Sequence, residues 1–166
     1  MATIPTNTTE VTLDSDVPII RVVREFDAPP VKVFRAHTDP DLLLKWYGPA
    51  STRTTIDHHD PRPGGSYRYV HGYEDQEFVM RGCFHEVRAP ELIVQTESME
   101  DAGDVVMLSR LAFTDLGDGR TGMTLTMLVD SFTVRDGIVA TGMEHGMRES
   151  YERLDELLAD ASHLRS

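Results

Sequence analysis

A long amphipathic helix is predicted at residues 136–161, which read DGIVATGMEHGMRESYERLDELLADA. Charged residues such as Glu144, Glu152 and Asp155 fall on one side at helical spacing, and Asp136 is the expected N-cap. Because the other face is apolar, another element of the fold has to cover it. The residues of that face are Val139, Met143, Met147, Ser150, Leu154, Leu157, Leu158 and Ala161.

An antiparallel sheet is the element expected to cover this helix. Segments rich in β-branched and apolar residues follow one another with turn residues between them, a pattern typical of an antiparallel meander. Two short helices interrupt the segments, one over residues 31–38 and one between Asp39-Pro40 and Gly48-Pro49. The predicted strands are 19–26, 53–59, 66–71, 77–87, 92–99, 105–114 and 121–129. The predicted fold class is therefore α+β.

Alternation along the strands predicts which side chains share the apolar face of the sheet, because successive residues of a strand point to opposite faces. By this parity we expect Glu97, Arg110 and Asp130 on the opposite face, together with Cys83. The predicted apolar face carries Phe78, Met80, Gly82, Phe84, Val105, Met107, Ser109, Leu111, Phe113, Met123, Leu125, Met127 and Val129.

Length and charge limit the functions to consider. The chain has 166 residues, enough for one domain, and its 28 acidic against 16 basic side chains give a net charge of −12. This excess argues against nonspecific binding to nucleic acid or to an anionic membrane. The sequence has no apolar run long enough to span a bilayer and no N-terminal signal pattern, so we expect a cytoplasmic protein without membrane insertion. Residues 1–17 are polar and predict a flexible N-terminal arm before a domain at 18–162.

Five short segments carry a resemblance to a known family. They are Ala28-Pro29 with Val33-Phe34, Trp46-Tyr47-Gly48-Pro49, Arg62-Pro63-Gly64-Gly65, Gly82 through Glu86-Val87 with Pro90, and Gly142 through Met147 followed by Ser150 through Leu154. In this order they resemble the helix-grip START-like superfamily, also called SRPBCC, over about residues 19–161. The chain is most similar to the bacterial branch that resembles the C-terminal domain of the activator of the heat-shock chaperone ATPase.

This resemblance implies a curved antiparallel sheet that grips the C-terminal helix and leaves a cavity between them. Relatives use such a cavity for lipids, polyketide-like aromatics or hormones. A minority catalyse cyclisation or dehydration in it, and others act through their surface as partners of a chaperone. The resemblance therefore implies a cavity that can serve as a site, but it does not identify a single activity for it.

Binding of a small hydrophobic molecule, a lipid or a polyketide-like aromatic, is the function we predict first. Methionine is flexible and polarizable, so a methionine-rich wall suits variable apolar ligands, and it suits an irregular core as well. Gly142 and Gly146 are compatible both with room for a ligand and with close helix packing. The predicted ligand-binding residues are Trp46, Tyr69, Phe78, Met80, Phe84, Met107, Met127, Met143 and Met147.

Two functions of other classes remain as alternatives. A protein-interaction module associated with a chaperone ATPase needs an exposed contact patch. A polyketide cyclase-like or dehydratase-like enzyme needs an ionisable group inside the cavity, for which His71, Tyr69 and His145 are the candidates, although no catalytic residue is assigned. An exposed strand edge would permit a homodimer.

Metal and cofactor chemistry is not predicted. His58 and His59 are neighbours in a predicted strand, so they point to opposite faces and cannot share an ion. Cys83 is the one cysteine, which excludes intramolecular disulfides and cysteine-rich zinc sites. The sequence also lacks the Gly-x-Ser-x-Gly elbow of a serine hydrolase.

Overall fold

A sheet and four helices make up the computed structural model, which describes residues 7–160. The strands are β1 (Glu10–Leu13), β2 (Ile19–Phe26), β3 (Arg53–His59), β4 (Ser66–Tyr73), β5 (Gln76–Arg88), β6 (Leu92–Met99), β7 (Met107–Gly117) and β8 (Arg120–Leu128). The helices are α1 (Pro30–Thr38), α2 (Pro40–Trp46), α3 (Phe132–Ala140) and α4 (Met143–Ala159).

The eight strands form one antiparallel sheet in the order β1-β2-β8-β7-β6-β5-β4-β3. Strands β3 to β8 lie beside their neighbours in sequence, as predicted for a meander, and β2 pairs with β8. Register shifts interrupt three of these pairings, and bulges of this kind bend a sheet and increase its twist. The curved sheet with a C-terminal helix confirms the predicted α+β helix-grip class.

The pairing of β7 with β8 confirms the predicted parity of both strands. Ser109 lies opposite Met127, and both side chains are buried on the concave face. Leu108 lies opposite Leu128, and both are exposed on the convex face. The apolar alternation of these two strands therefore marks the concave side of the sheet.

The N-terminal part of the chain differs from the prediction for residues 1–17. Glu10–Leu13 form the edge strand β1, in which Glu10 lies opposite Val23 and Leu13 opposite Ile20. Pairing satisfies backbone groups at the edge of β2, and Val11 packs against the core, so a strand forms despite the polar composition. Residues 1–6 of the predicted arm lie outside the described residues, and the domain boundary at residue 18 stays a prediction.

Helices α1, α2 and α4 cover the concave face. The Trp46 indole Nε1 donates a hydrogen bond to the Ala36 carbonyl oxygen at 2.9 Å, which joins α2 to α1. Tyr151 of α4 stacks on Trp46 with ring centroids 5.9 Å apart and meets Phe26 of β2 edge-on at 5.8 Å. With Leu154 fully buried on the same face, the C-terminal half of α4 is fixed to the core.

The predicted long helix is divided into two. Gly142 has a φ of +82°, a left-handed conformation that glycine adopts readily, and it separates α3 from α4. The expected cap at Asp136 was wrong, because Asp136 lies inside α3 and the Ser131 hydroxyl accepts from the Val134 backbone N–H at 3.2 Å. Ala161 lies outside the described residues. No described helix is both long and apolar enough to cross a membrane.

Candidate binding pocket

A cavity of about 360 Å³ lies between the concave face of the sheet and the helices. The N-terminal half of α4 forms one wall through Met143, Gly146 and Met147, while strands β4 to β8 form the opposite wall. Its other lining residues are His37, Leu43, Trp46, Tyr47, Gly48, Pro49, Thr52, Tyr69, His71, Phe78, Met80, Phe84, Ile93, Gln95, Glu97, Met107, Leu111, Leu125, Met127, Ile138, Ser150 and Tyr151.

The structure brings all nine predicted ligand-binding residues to this cavity. Four of them are also part of the buried core, namely Trp46, Tyr69, Phe84 and Met127. Phe78 is 37% exposed and stands at the rim. The remaining four are partly buried methionines: Met80, Met107, Met143 and Met147. Their contact with a ligand stays a prediction.

The expectation for Glu97 was wrong, since its carboxyl faces the cavity rather than the convex side. Glu97 lies opposite Met107, and Gln95 lies opposite Ser109, so all four share the concave face. The start of β6 contains the consecutive apolar residues 92–94, which do not alternate and leave its parity open. The pairing of β6 with β7 determines the face of the sheet on which Glu97 lies. Alternation within the sequence of β6 alone does not determine it.

Two neutral donors hold the Glu97 carboxyl in place. Gln95 Nε2 donates to Oε1 at 2.9 Å, and Ser109 Oγ donates to Oε2 at 3.2 Å. Burial raises the pKa of Glu97 above its ordinary value, while these two hydrogen bonds act in the opposite direction. The result is an oriented acid group in a wall that is otherwise mainly apolar.

Both histidines among the described lining residues are neutral near pH 7. Burial lowers the pKa of His71 to about 4, and its Nδ1 lies 3.0 Å from the Thr54 hydroxyl oxygen. Burial also lowers the pKa of His37 to about 4, and its Nδ1–H donates to the Val33 carbonyl oxygen at 2.8 Å. His37 was not among the predicted site residues. Its Nε2 is buried without a hydrogen-bond partner among the described residues.

Tyrosine hydroxyls add neutral polar groups to the aromatic wall. The Tyr69 hydroxyl donates to His59 Nδ1 at 2.7 Å, and His59 Nε2–H donates to the Thr38 carbonyl oxygen at 2.7 Å. Burial raises the pKa of Tyr69, Tyr47 and Tyr151, so none of these hydroxyls ionises near neutral pH. Of the three candidates for acid–base chemistry, Tyr69 and His71 line the cavity. The third, His145, is an exposed residue of α4 outside the lining.

The loop after α2 borders the cavity beside α4. Arg153 of α4 donates from Nη1 to the Gly48 carbonyl oxygen at 2.6 Å, and Glu149 accepts from the Ala50 backbone N–H at 3.0 Å. A Cβ placed on Gly146 would lie 3.5 Å from Pro49 Cγ, an ordinary van der Waals distance. The missing side chain at residue 146 therefore widens the space between this loop and the helix.

Comparison with known proteins supports the fold. The family described as Activator of Hsp90 ATPase homolog 1-like protein matches residues 27–159, and no curated protein sequence matches significantly. Protein Ms6760 from Mycobacterium smegmatis superposes with a TM-score of 0.83 and 26% identity, covering 93% of this chain and 98% of its own. An Arthrobacter aurescens protein solved by NMR gives a TM-score of 0.83, 26% identity and 95% coverage of each chain.

A more distant structure has the same architecture. The AHSA1 protein from Silicibacter pomeroyi has a TM-score of 0.70 and 22% identity, over 85% of this chain and 97% of its own, which supports the fold alone. The family match and the helix-grip fold confirm the resemblance that the five sequence segments indicated. The chain therefore belongs to the Activator of Hsp90 ATPase homolog 1-like protein family.

Proposed function

We propose that this protein binds a small hydrophobic molecule in the pocket between the sheet and α4. The observation that carries the proposal is a cavity of about 360 Å³ lined mainly by aromatic, aliphatic and methionine side chains. Ligand sites of about 300–1,000 Å³ with a few placed polar groups are typical of small-molecule binding proteins.

The pocket combines buried aromatic residues with flexible methionines, and this combination supports a binding role. Trp46, Tyr69 and Phe84 are buried members of the core, so they offer a fixed aromatic surface. Met143 and Met147 are partly buried on α4, and their flexible thioethers can adjust to ligands of different shape. A fixed aromatic surface together with adaptable methionine side chains suits a lipid or a polyketide-like aromatic.

A thermal-shift screen with a pocket-filling variant tests the proposal. The purified protein is heated with lipids, flavonoids and polyketide-like aromatics, and a true ligand raises the unfolding midpoint because it binds only the folded state. Gly146→Leu places a side chain beside Pro49 at the pocket, so it should abolish the shift. Gly137→Leu is the matched control, since residue 137 is an exposed glycine of α3 outside the lining.

Three results would contradict this function. One is the absence of a shift with every compound class. Another is a shift of equal size in the wild type and in Gly146→Leu, which would put the ligand elsewhere on the molecule. Loss of the shift in both glycine variants would likewise argue against a specific site.

Acid–base catalysis of the cyclase or dehydratase kind is the second candidate, and Glu97 is the observation that favours it. A carboxyl group inside a pocket, with its pKa raised by burial, is suited to act as a general acid or base. Glu97→Gln should abolish turnover of a compound identified as a substrate, while His71→Asn should leave it measurable. The chaperone-partner alternative makes a different prediction, namely stimulation of a chaperone ATPase that is insensitive to Gly146→Leu.

A further inference from the structure

We propose that the ligand of this pocket is an apolar molecule with one protonated amine, and that the Glu97 carboxylate binds the amine. The inference rests on the proposed binding function and specifies the chemical class of the ligand. Three features of the pocket carry it: the charges that line it, the hydrogen bonds to Glu97, and the aromatic rings around it.

The charges that line the pocket are unbalanced. Glu97 faces the cavity, and none of the described residues that line it is a lysine or arginine. His37 and His71 are neutral, because burial lowers the pKa of each to about 4. A buried carboxylate without a cation is costly, so a cation supplied by the ligand is worth more here than at the protein surface.

The hydrogen bonds to Glu97 orient its carboxylate for such a partner. Gln95 and Ser109 each donate to a different oxygen of the group, and these donors lie on neighbouring strands directly opposite one another. Ser109 is fully buried, which limits its movement. Since each carboxylate oxygen has two acceptor positions, one position on each oxygen stays available to a ligand N–H.

The aromatic rings of the pocket favour a positive charge as well. Tyr47 and Tyr69 lie with ring centroids 5.8 Å apart, and Phe78 stacks on His71 at 4.9 Å. The faces of such rings attract an ammonium group through their quadrupole. A neutral alcohol of the same shape would gain the hydrogen bond to Glu97 but neither the ion pair nor this attraction.

The affinity for an amine should increase with pH as Glu97 ionises, because the amine itself stays protonated up to about pH 9. The ionisable groups on the neighbouring elements should stay uncharged while Glu97 ionises, because burial lowers the pKa of the histidines and raises the pKa of the tyrosines. These groups are His37 of α1, Tyr47 after α2, Tyr67, Tyr69 and His71 of β4, and Tyr151 of α4.

Calorimetric titration with matched compounds tests the proposal. The pairs are phenethylamine with phenethyl alcohol, naphthylmethylamine with naphthylmethanol, and nonylamine with nonanol. In the wild type near pH 7 we expect the amine of the preferred pair to bind at least about tenfold more tightly than the alcohol, equivalent to about 1.4 kcal/mol. Glu97→Gln should remove the preference and leave the affinity for the alcohol within about threefold.

The control is Glu156→Gln, which removes one negative charge from an exposed position of α4 outside the pocket lining. It should keep the preference for the amine. If alcohols bind as tightly as amines, or if the preference survives in Glu97→Gln, the amine proposal fails while the binding function stands. If no member of any pair binds while a compound of the thermal-shift screen does, the amine proposal fails and the binding function stands. If neither the pairs nor the screen gives a ligand, both fail.

Discussion

Gly82 lies at a close approach of β5 to β6, next to the polar part of the pocket. A Cβ at this position would lie 1.8 Å from the Thr96 carbonyl oxygen and 2.7 Å from the Tyr67 hydroxyl oxygen. Tyr67 donates to the same carbonyl at 2.8 Å, so moving either atom would disturb that hydrogen bond. Because Thr96 stands between Gln95 and Glu97, this contact also helps to position the carboxyl group of the pocket.

Gly82→Ala should lower the free energy of unfolding by at least about 3 kcal/mol, because backbone atoms rather than a flexible side chain oppose the added methyl group. Urea denaturation followed by circular dichroism measures the change. Gly72→Ala on β4 is the control, since its Cβ would meet the flexible Arg53 side chain at 3.4 Å. If Gly82→Ala and Gly72→Ala lower the free energy of unfolding equally, the prediction is wrong, because β5 then shifts away from β6 at little cost.

His71 should make the protein less stable in mild acid. Its pKa is about 4 in the folded state and about 6.5 when the chain is unfolded, so the unfolded state binds more protons between these values. Stability therefore falls as the pH drops below about 6.5, and the loss is complete below about pH 4. The full contribution of one such group is about 3 kcal/mol.

The variant His71→Asn should lose less stability than the wild type between about pH 7 and pH 4. Asparagine retains a polar atom for the Thr54 hydroxyl but cannot take up a proton in this range. Urea denaturation at a series of pH values provides the measurement. Parallel curves for the two proteins would mean that His71 titrates normally in the folded state.

Residues such as Glu97 and Arg24 show what the polarity pattern of a single strand misses. The face of Phe84 and Met127 could be predicted, because apolar and polar residues alternate around them in β5 and β8. Arg24 follows Val22 on the core side of β2 and is 2% exposed, although a charged residue in a strand is typical of a solvent face. Residues that are distant in sequence set the environment of Glu97 and Arg24, so the sequence of a single strand does not predict it.

At the level of the elements, the division between α3 and α4 separates a helix with one buried side chain from a helix whose C-terminal half is packed into the core. Buried residues of α4 begin at Ser150, whereas α3 buries only Arg135. Apolar spacing continues across the division, and this is why the sequence predicted one helix from residue 136 to 161. The left-handed conformation of Gly142 ends the helix, although the helical spacing of the apolar residues continues past it.

Alanine substitutions at Gly142 and Gly146 should change stability in opposite directions. At residue 142 the φ of +82° disfavours any side chain, so Gly142→Ala should cost about 1–2 kcal/mol. At residue 146 the helix is regular and a Cβ finds ordinary contact distances, so Gly146→Ala should add about 1 kcal/mol. Thermal and urea denaturation give both values, and changes of the same sign would contradict the division of the helix at Gly142.

At the scale of the whole molecule, Arg24 joins three distant parts of the chain. It forms an ion pair with Asp155 of α4 and donates from Nη1 to the Thr9 hydroxyl at 2.9 Å and to the Asn7 carbonyl oxygen at 2.7 Å. Its guanidinium also lies 5.3 Å from the ring centroid of Phe26. The residues before β1 are therefore tied to the same helix that covers the pocket.

The two partners of this ion pair should differ in how much their loss costs. The Arg24 side chain is 1% exposed and that of Asp155 is 25% exposed, so only Asp155 can reach water when its partner is removed. Asp155→Asn leaves a buried positive charge and should cost about 3–5 kcal/mol, whereas Arg24→Met should cost less. The double variant should lose less than the sum of the two single changes, because it leaves neither charge unpaired.

Urea denaturation of the three variants measures these energies, and hydrogen exchange of the β1 amides should rise in Arg24→Met. Additive losses, or unchanged exchange in β1, would show that Arg24 does not link the N-terminal segment to α4.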